Sequence, residues 1–143
     1  MATDHVLNGT WVNVPGQGVA ARDVLHFGPG KSFTAKIQKP GTPVLMVSGV
    51  YKVVAPQTQD RKKHVSQVVL LLIDAQTGSK LGMPVAEQRA IRRRRNHQAL
   101  MSRFFYLPEL PALTDMDKAL FVRKGSEARV SQRYALMRKR LNF

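Results

Sequence analysis

Hydrophobic and polar residues alternate most clearly between Asp23 and Val54. Phe33, Ala35 and Ile37 fall on one side of the chain, and Ser32, Thr34, Lys36 and Gln38 on the other. A period of two predicts a strand with one buried face. Gly28-Pro29-Gly30-Lys31 supplies the turn before it, so Val24 to Phe27 and Ser32 to Gln38 form a hairpin. Lys39-Pro40-Gly41-Thr42-Pro43 breaks the pattern. Val44 to Val54 then makes the longest strand, with Gly49 marking a bend or bulge.

The same reading extends in both directions. Asn8 to Val14 is a first strand anchored by Trp11, followed by a Gly- and Pro-bearing loop over Pro15 to Ala21. Ala55 to His64 is a polar loop. Val65 to Ile73 is β-branched and Leu-rich throughout, as in a strand covered on both faces towards its end. Asp74 to Ser79 reads as a turn into a short strand around Lys80 to Met83. Residues 84–98 fit either a helix or a basic loop. Ala99 to Leu107 is a strand stopped by Pro108-Glu109-Leu110-Pro111, with Leu100, Ser102, Phe104 and Tyr106 on one side. Lys118 to Arg123 is another short strand. In residues 129–140, Val130, Tyr134, Met137 and Leu141 share a helical face, whereas Val130, Gln132, Tyr134 and Leu136 share a strand face. A closing strand is favoured there, because a barrel needs one. The pattern predicts an all-β domain over 1–143: a single antiparallel up-and-down barrel of about eight strands, with a C-terminal helix as the alternative ending.

Charge changes this picture. Lys plus Arg is 23 against 9 for Asp plus Glu, giving +14 at neutral pH. Residues 1–85 hold nine basic and four acidic residues, and residues 86–143 hold fourteen and five. The basic segment 86–98 carries Arg89, Arg92, Arg93, Arg94 and Arg95; a second cluster is Arg138, Lys139 and Arg140, and a third Arg61, Lys62 and Lys63. Such an excess favours an acidic protein or another polyanion as partner, and arginine forks suit carboxylate and phosphate. If 92–95 were a strand, two arginines would face a core that offers few acids, so the run is expected on the surface, at a loop or strand edge. Phe104, Phe105 and Tyr106 follow the run, and bases could stack on them beside the arginines, as in a nucleic-acid-binding barrel. Strand alternation nevertheless predicts that two of the three rings are core.

Several frames fit the small bacterial lipocalin-like (calycin-type) barrels. They are Gly9-Thr10-Trp11, Leu25-His26-Phe27, Gly30-Lys31-Ser32-Phe33 and Gly49-Val50-Tyr51-Lys52-Val53. Val68 to Asp74 and Leu113-Thr114-Asp115 leading into Ala119-Leu120-Phe121 fit more loosely. The chain resembles that family mainly over its first half. The resemblance implies a barrel, without catalysis, that holds a small apolar ligand or a protein partner. It favours the cell envelope over the cytoplasm, with any leader already removed. The four-arginine run departs from the family pattern and argues against a plain apolar-ligand carrier.

Catalytic chemistry finds little material. With no cysteine there is no disulfide and no thiolate ligand. His5, His26, His64 and His97 are scattered, so neither a metal nor another cofactor is expected. Asp115 and Asp117 read as turn formers. Gly28-Pro29-Gly30-Lys31-Ser32 lacks the upstream glycine of a phosphate-binding loop and leads into a strand. No apolar run reaches the roughly 20 residues that span a bilayer, and Met1 to Asn8 is short and polar. The expectation is a non-enzymatic binding or assembly module that contacts an anionic or acidic partner through an Arg-rich surface. Nucleic-acid binding is the alternative.

Overall fold

Eight antiparallel strands close into a barrel in simple sequential order, with β8 pairing back on β1. The computed structural model describes residues 4–14, 23–38, 41–116 and 119–141. The strands are β1 (Gly9–Asn13), β2 (Val24–Gly28), β3 (Ser32–Ile37), β4 (Leu45–Val54), β5 (Gln67–Ile73), β6 (Ala99–Leu107), β7 (Ala112–Thr114) and β8 (Leu120–Arg123). A short helix α1 (Asp4–Leu7) precedes β1, and α2 (Thr58–Arg61) lies between β4 and β5. A helical pair, α3 (Ala75–Lys80) and α4 (Val85–Arg93), connects β5 to β6, and α5 (Glu127–Leu141) follows β8. The predicted loop over Pro15 to Ala21 lies outside the described residues.

The inward positions of the strands build one core. Trp11, Phe27, Phe33, Tyr51, Phe104, Tyr106 and Phe121 fill it with rings, each no more than 7% exposed. They meet edge to face: Phe27 with Tyr51 at 5.1 Å, Phe104 with Phe121 at 5.3 Å, Trp11 with Tyr106 at 6.4 Å. Eight strands leave an interior that side chains can fill, and these rings fill it. Grooves bordered by α5 and by α3 with α4 lie outside the strands.

A second core lies outside the barrel. Val130 and Met137 of α5 pack on Leu107, Leu110, Ala112, Leu120 and Val122. Residues 129–140 are thus helical, and the favoured closing strand is corrected. The barrel is closed without them, because Trp11, Val12 and Asn13 pair with Arg123, Val122 and Phe121. The extra strand is β7, three residues long and hidden in sequence between Pro111 and Asp115.

Two further expectations are revised. Lys80 to Met83 is not a strand. The Asp74 carboxylate accepts a hydrogen bond from the Thr77 amide at 2.8 Å and caps α3 instead. Gly78 then lets Met83 close in, since a Cβ there would come within 2.8 Å of its sulfur. The alternation along Ala99 to Leu107 also fails at one place. The β5–β6 register shifts between Leu71, opposite Ser102, and Leu72, opposite Leu100. One extra residue turns the chain over, so Leu100, expected beside Phe104 and Tyr106, is 52% exposed.

Candidate anion-contacting surfaces

The basic segment 86–98 resolves into a helix and a turn. Val85 to Arg93 is rich in Ala, Glu, Gln and Arg, which are good helix formers. Gln88 donates from its side-chain amide to the Met83 carbonyl at 2.8 Å. Ile91 is the buried residue of α4, at 2% exposure, so the helix rests on one narrow face. Glu87, Arg89, Arg92 and Arg93 lie exposed around the rest. The chain leaves the helix at Arg94, which is extended, and the Arg94 guanidinium donates to the Gln98 carbonyl at 3.1 Å. All four arginines of 92–95 are exposed, as their number required: Arg94 and Arg95 in the expected loop, Arg92 and Arg93 in the last turn of a helix rather than at a strand edge.

Electrostatics explains part of this placement. Arg92 and Arg93 occupy the last turn of α4, where the helix dipole favours cations by about 0.3–1 kcal/mol each. Arg94 and Arg95 lie beyond the helix. Among the described residues, no carboxylate pairs with Arg89, Arg92, Arg93, Arg94 or Arg95. A cleft of about 340 Å³ between α3 and α4 is lined by Asp74, Ala75, Gln76, Ile91, Arg92 and His97. Asp74 is committed there to its helix cap: the Thr77 amide holds its carboxyl below the ordinary range.

The second and third clusters lie elsewhere, linked through Glu109. On α5, Arg138 is half-buried over the Tyr134 ring at 5.7 Å, while Lys139 and Arg140 are exposed. Those two, with Arg133, border a groove of about 490 Å³ floored by Leu110, Leu136 and Met137 and edged by Glu109. Glu109 also pairs with His64 at 2.5 Å, directly after Arg61, Lys62 and Lys63, which are exposed. This lower surface lies at the β6–β7 end of the barrel. The α4 arginines lie at the β5–β6 end, separated by the nine residues of β6, or about 26 Å of strand. Arg89 to Arg95 and Arg138 to Arg140 therefore form two surfaces, not one.

The three aromatic candidates divide by strand face. Phe104 and Tyr106 are each 7% exposed inside the barrel. Burial raises the Tyr106 phenol pKa, opposed by the nearby Arg123 charge. Phe105 points outward, half-buried, with the Arg103 guanidinium 5.7 Å from its ring centre. A base could stack on one of the three rings without opening the barrel. Asp115 acts as a turn former, accepting from the Ala119 amide at 3.0 Å; Asp117 lies outside the described residues.

Sequence reading missed Arg133, Lys52 and Arg103. The signal for Arg133 was the helical period of α5, obscured while a strand was favoured there. Lys52 and Arg103 are isolated in sequence and become neighbours of Leu70 only through strand pairing. No protein-family model, curated protein or solved structure matches the chain. No helix among the described residues is long and apolar enough to cross a membrane.

Proposed function

We propose that the chain is a non-enzymatic binding or assembly module on a lipocalin-like barrel, contacting an acidic protein partner through the arginine-rich end of α4. The observation that carries this reading is the run Arg92 to Arg95: four consecutive exposed guanidinium groups, none paired with a described carboxylate. Arg92 and Arg93 close α4, which packs on α3 and buries Ile91, and Arg94 and Arg95 follow directly in the next turn. A rigid mount lowers the ordering cost of each contact. The resemblance to small bacterial lipocalin-like domains supports a scaffold without catalysis and an address in a bacterial cell envelope. The ring-packed interior supports work at the outer surface rather than inside. Burial of Phe104 and Tyr106 weighs against the nucleic-acid reading, which needed them for stacking.

The test is titration with poly-L-glutamate over a range of salt, comparing wild type with the fourfold variant Arg92→Ser, Arg93→Ser, Arg94→Ser, Arg95→Ser. The reading predicts a tenfold or greater loss of affinity at low salt and a shallower salt dependence in the variant. Equal binding by the two proteins would remove the α4 end as the contact surface. A single-stranded oligonucleotide bound more tightly than polyglutamate at equal salt would favour the alternative.

A further inference from the structure

The outer face of the barrel is treated in three ways. Over β7 and β8 it is apolar and covered by α5. Over β3 the outward residues are Ser32, Thr34 and Lys36, polar and open to solvent. Over β4, β5 and β6 it is largely apolar, and α2 borders the end formed by Val54, Val68 and Phe105, where Val68 is 5% exposed. Strand pairing arranges nine outward side chains in rows. Val50, Leu72 and Leu100 form one row; Lys52, Leu70 and Arg103 the next; Val54, Val68 and Phe105 the third. Leu100 is 52% and Val54 40% exposed. Here lies the reason β5 reads in sequence as a strand covered on both faces: its outward Val68, Leu70 and Leu72 are as apolar as its inward residues.

We propose that this face docks an amphipathic helix of a partner protein, one carrying carboxylates beside its apolar side chains. The dimensions fit. Three strands spaced about 4.8 Å apart, with rows spread over about 13 Å, match the roughly 10 Å diameter of one helix. At one end the face runs into a concavity of about 390 Å³, whose walls include Val54, Val68, Leu70, Arg103 and Phe105. Asp60 and the Gln57 and Gln59 amides form its polar rim.

Charge selects the occupant. The middle row puts exposed Lys52 and Arg103 on either side of Leu70. A second copy docked face to face would bring these cations against their own images, on chains that each carry +14. An acidic helix would pair with them at the edges while burying leucine-like side chains between. The inference goes beyond the α4 arginines by adding a second surface and specifying the partner's fold and apolar content.

The experiment uses the full chain and two 18-residue helical peptides. One has leucines at helical spacing with glutamates elsewhere; in the other, lysines replace the glutamates. Wild type should bind the glutamate peptide and not the lysine peptide. Val54→Ser with Leu100→Ser should weaken glutamate-peptide binding at least tenfold. Lys52→Glu with Arg103→Glu should do the same and admit the lysine peptide. All four positions are exposed, and a thermal melt confirms that each variant folds. Unchanged glutamate-peptide binding by both variants would overturn the proposal. So would a concentration-dependent dimer in sedimentation that Leu100→Ser abolishes, because the face would then belong to a second copy. If the arginine variant loses polyglutamate while the face variants still bind the peptide, this inference fails and the α4 reading stands. If the face variants lose the peptide and the arginine variant keeps polyglutamate, the α4 reading fails and this one stands.

Discussion

The guanidinium of Arg123 lies over the indole of Trp11, 4.3 Å from the ring centre. The same group donates to the Val6 and Asn8 carbonyls, tying α1 across the base of the barrel. From below, the Trp11 indole N–H donates to the Leu7 carbonyl at 2.8 Å. Gly9 makes this approach possible: its φ is +115°, and a Cβ would sit 2.7 Å from the Arg123 guanidinium. One cation thus joins the first strand, the last strand and the N-terminal helix.

Arg123→Ala should therefore destabilise the barrel by about 2–4 kcal/mol, from the lost cation–π contact and two charge-assisted hydrogen bonds. Arg123→Lys should recover less than half, because an ammonium cannot present the fork to two carbonyls. Urea unfolding followed by fluorescence measures both, since Trp11 is the single tryptophan. An alanine variant as stable as wild type would show the closure to be dispensable.

Gly49 sits where β4 passes close to its neighbours. A Cβ there would run into the Leu72 carbonyl and come within 2.7 Å of the Phe33 ring. Gly49→Ala should cost about 2 kcal/mol by overpacking, lowering the melting temperature by roughly 8 °C. A melt within a degree of wild type would contradict the close approach.

Stability should fall with alkali. Tyr106 is buried, which raises its phenol pKa above the ordinary 10.0. The folded state then holds this proton more tightly than the unfolded chain. Its contribution is complete below pH 10 and is lost as pH rises through the folded-state value. Denaturant midpoints measured from pH 9 to 11 should decline in wild type and decline less in Tyr106→Phe. Parallel curves would show that Tyr106 does not govern the alkaline limb.

These elements also show what the sequence carries. The hairpin from Val24 to Ile37 was legible because alternation and turn residues agree there, and the strand from Ala99 to Leu107 was legible in extent but not in the facing of Leu100, because the bulge has no local signal. The helix α5 was not, since Val130 and Tyr134 satisfy both a period of two and a period of 3.6. Only the pairing of β8 with β1 removes the need for another strand. β7 was invisible because three residues carry no periodicity. For the candidate site, four adjacent arginines demanded exposure whatever the local structure. Whether they would join Arg138 to Arg140 depended on which end of β6 each occupies, which no local pattern encodes. The face formed by Lys52, Leu70 and Arg103 depends on register between three strands.

The arginine run should contribute little to folding. The fourfold serine variant loses two favourable charges at the end of α4, about 1 kcal/mol in total at low ionic strength, and less as salt rises. Its melting temperature should lie within roughly 4 °C of wild type. A variant that fails to fold would place these side chains in a structural role.

The most direct measurement of the central claim is residue-resolved NMR of the labelled protein as poly-L-glutamate is added at low salt. The account predicts shifts concentrated in residues 89–98, reversed by added salt, with a smaller response at 133–140. Shifts absent from 89–98, or centred on the lower groove around Arg133 and Arg140, would contradict it.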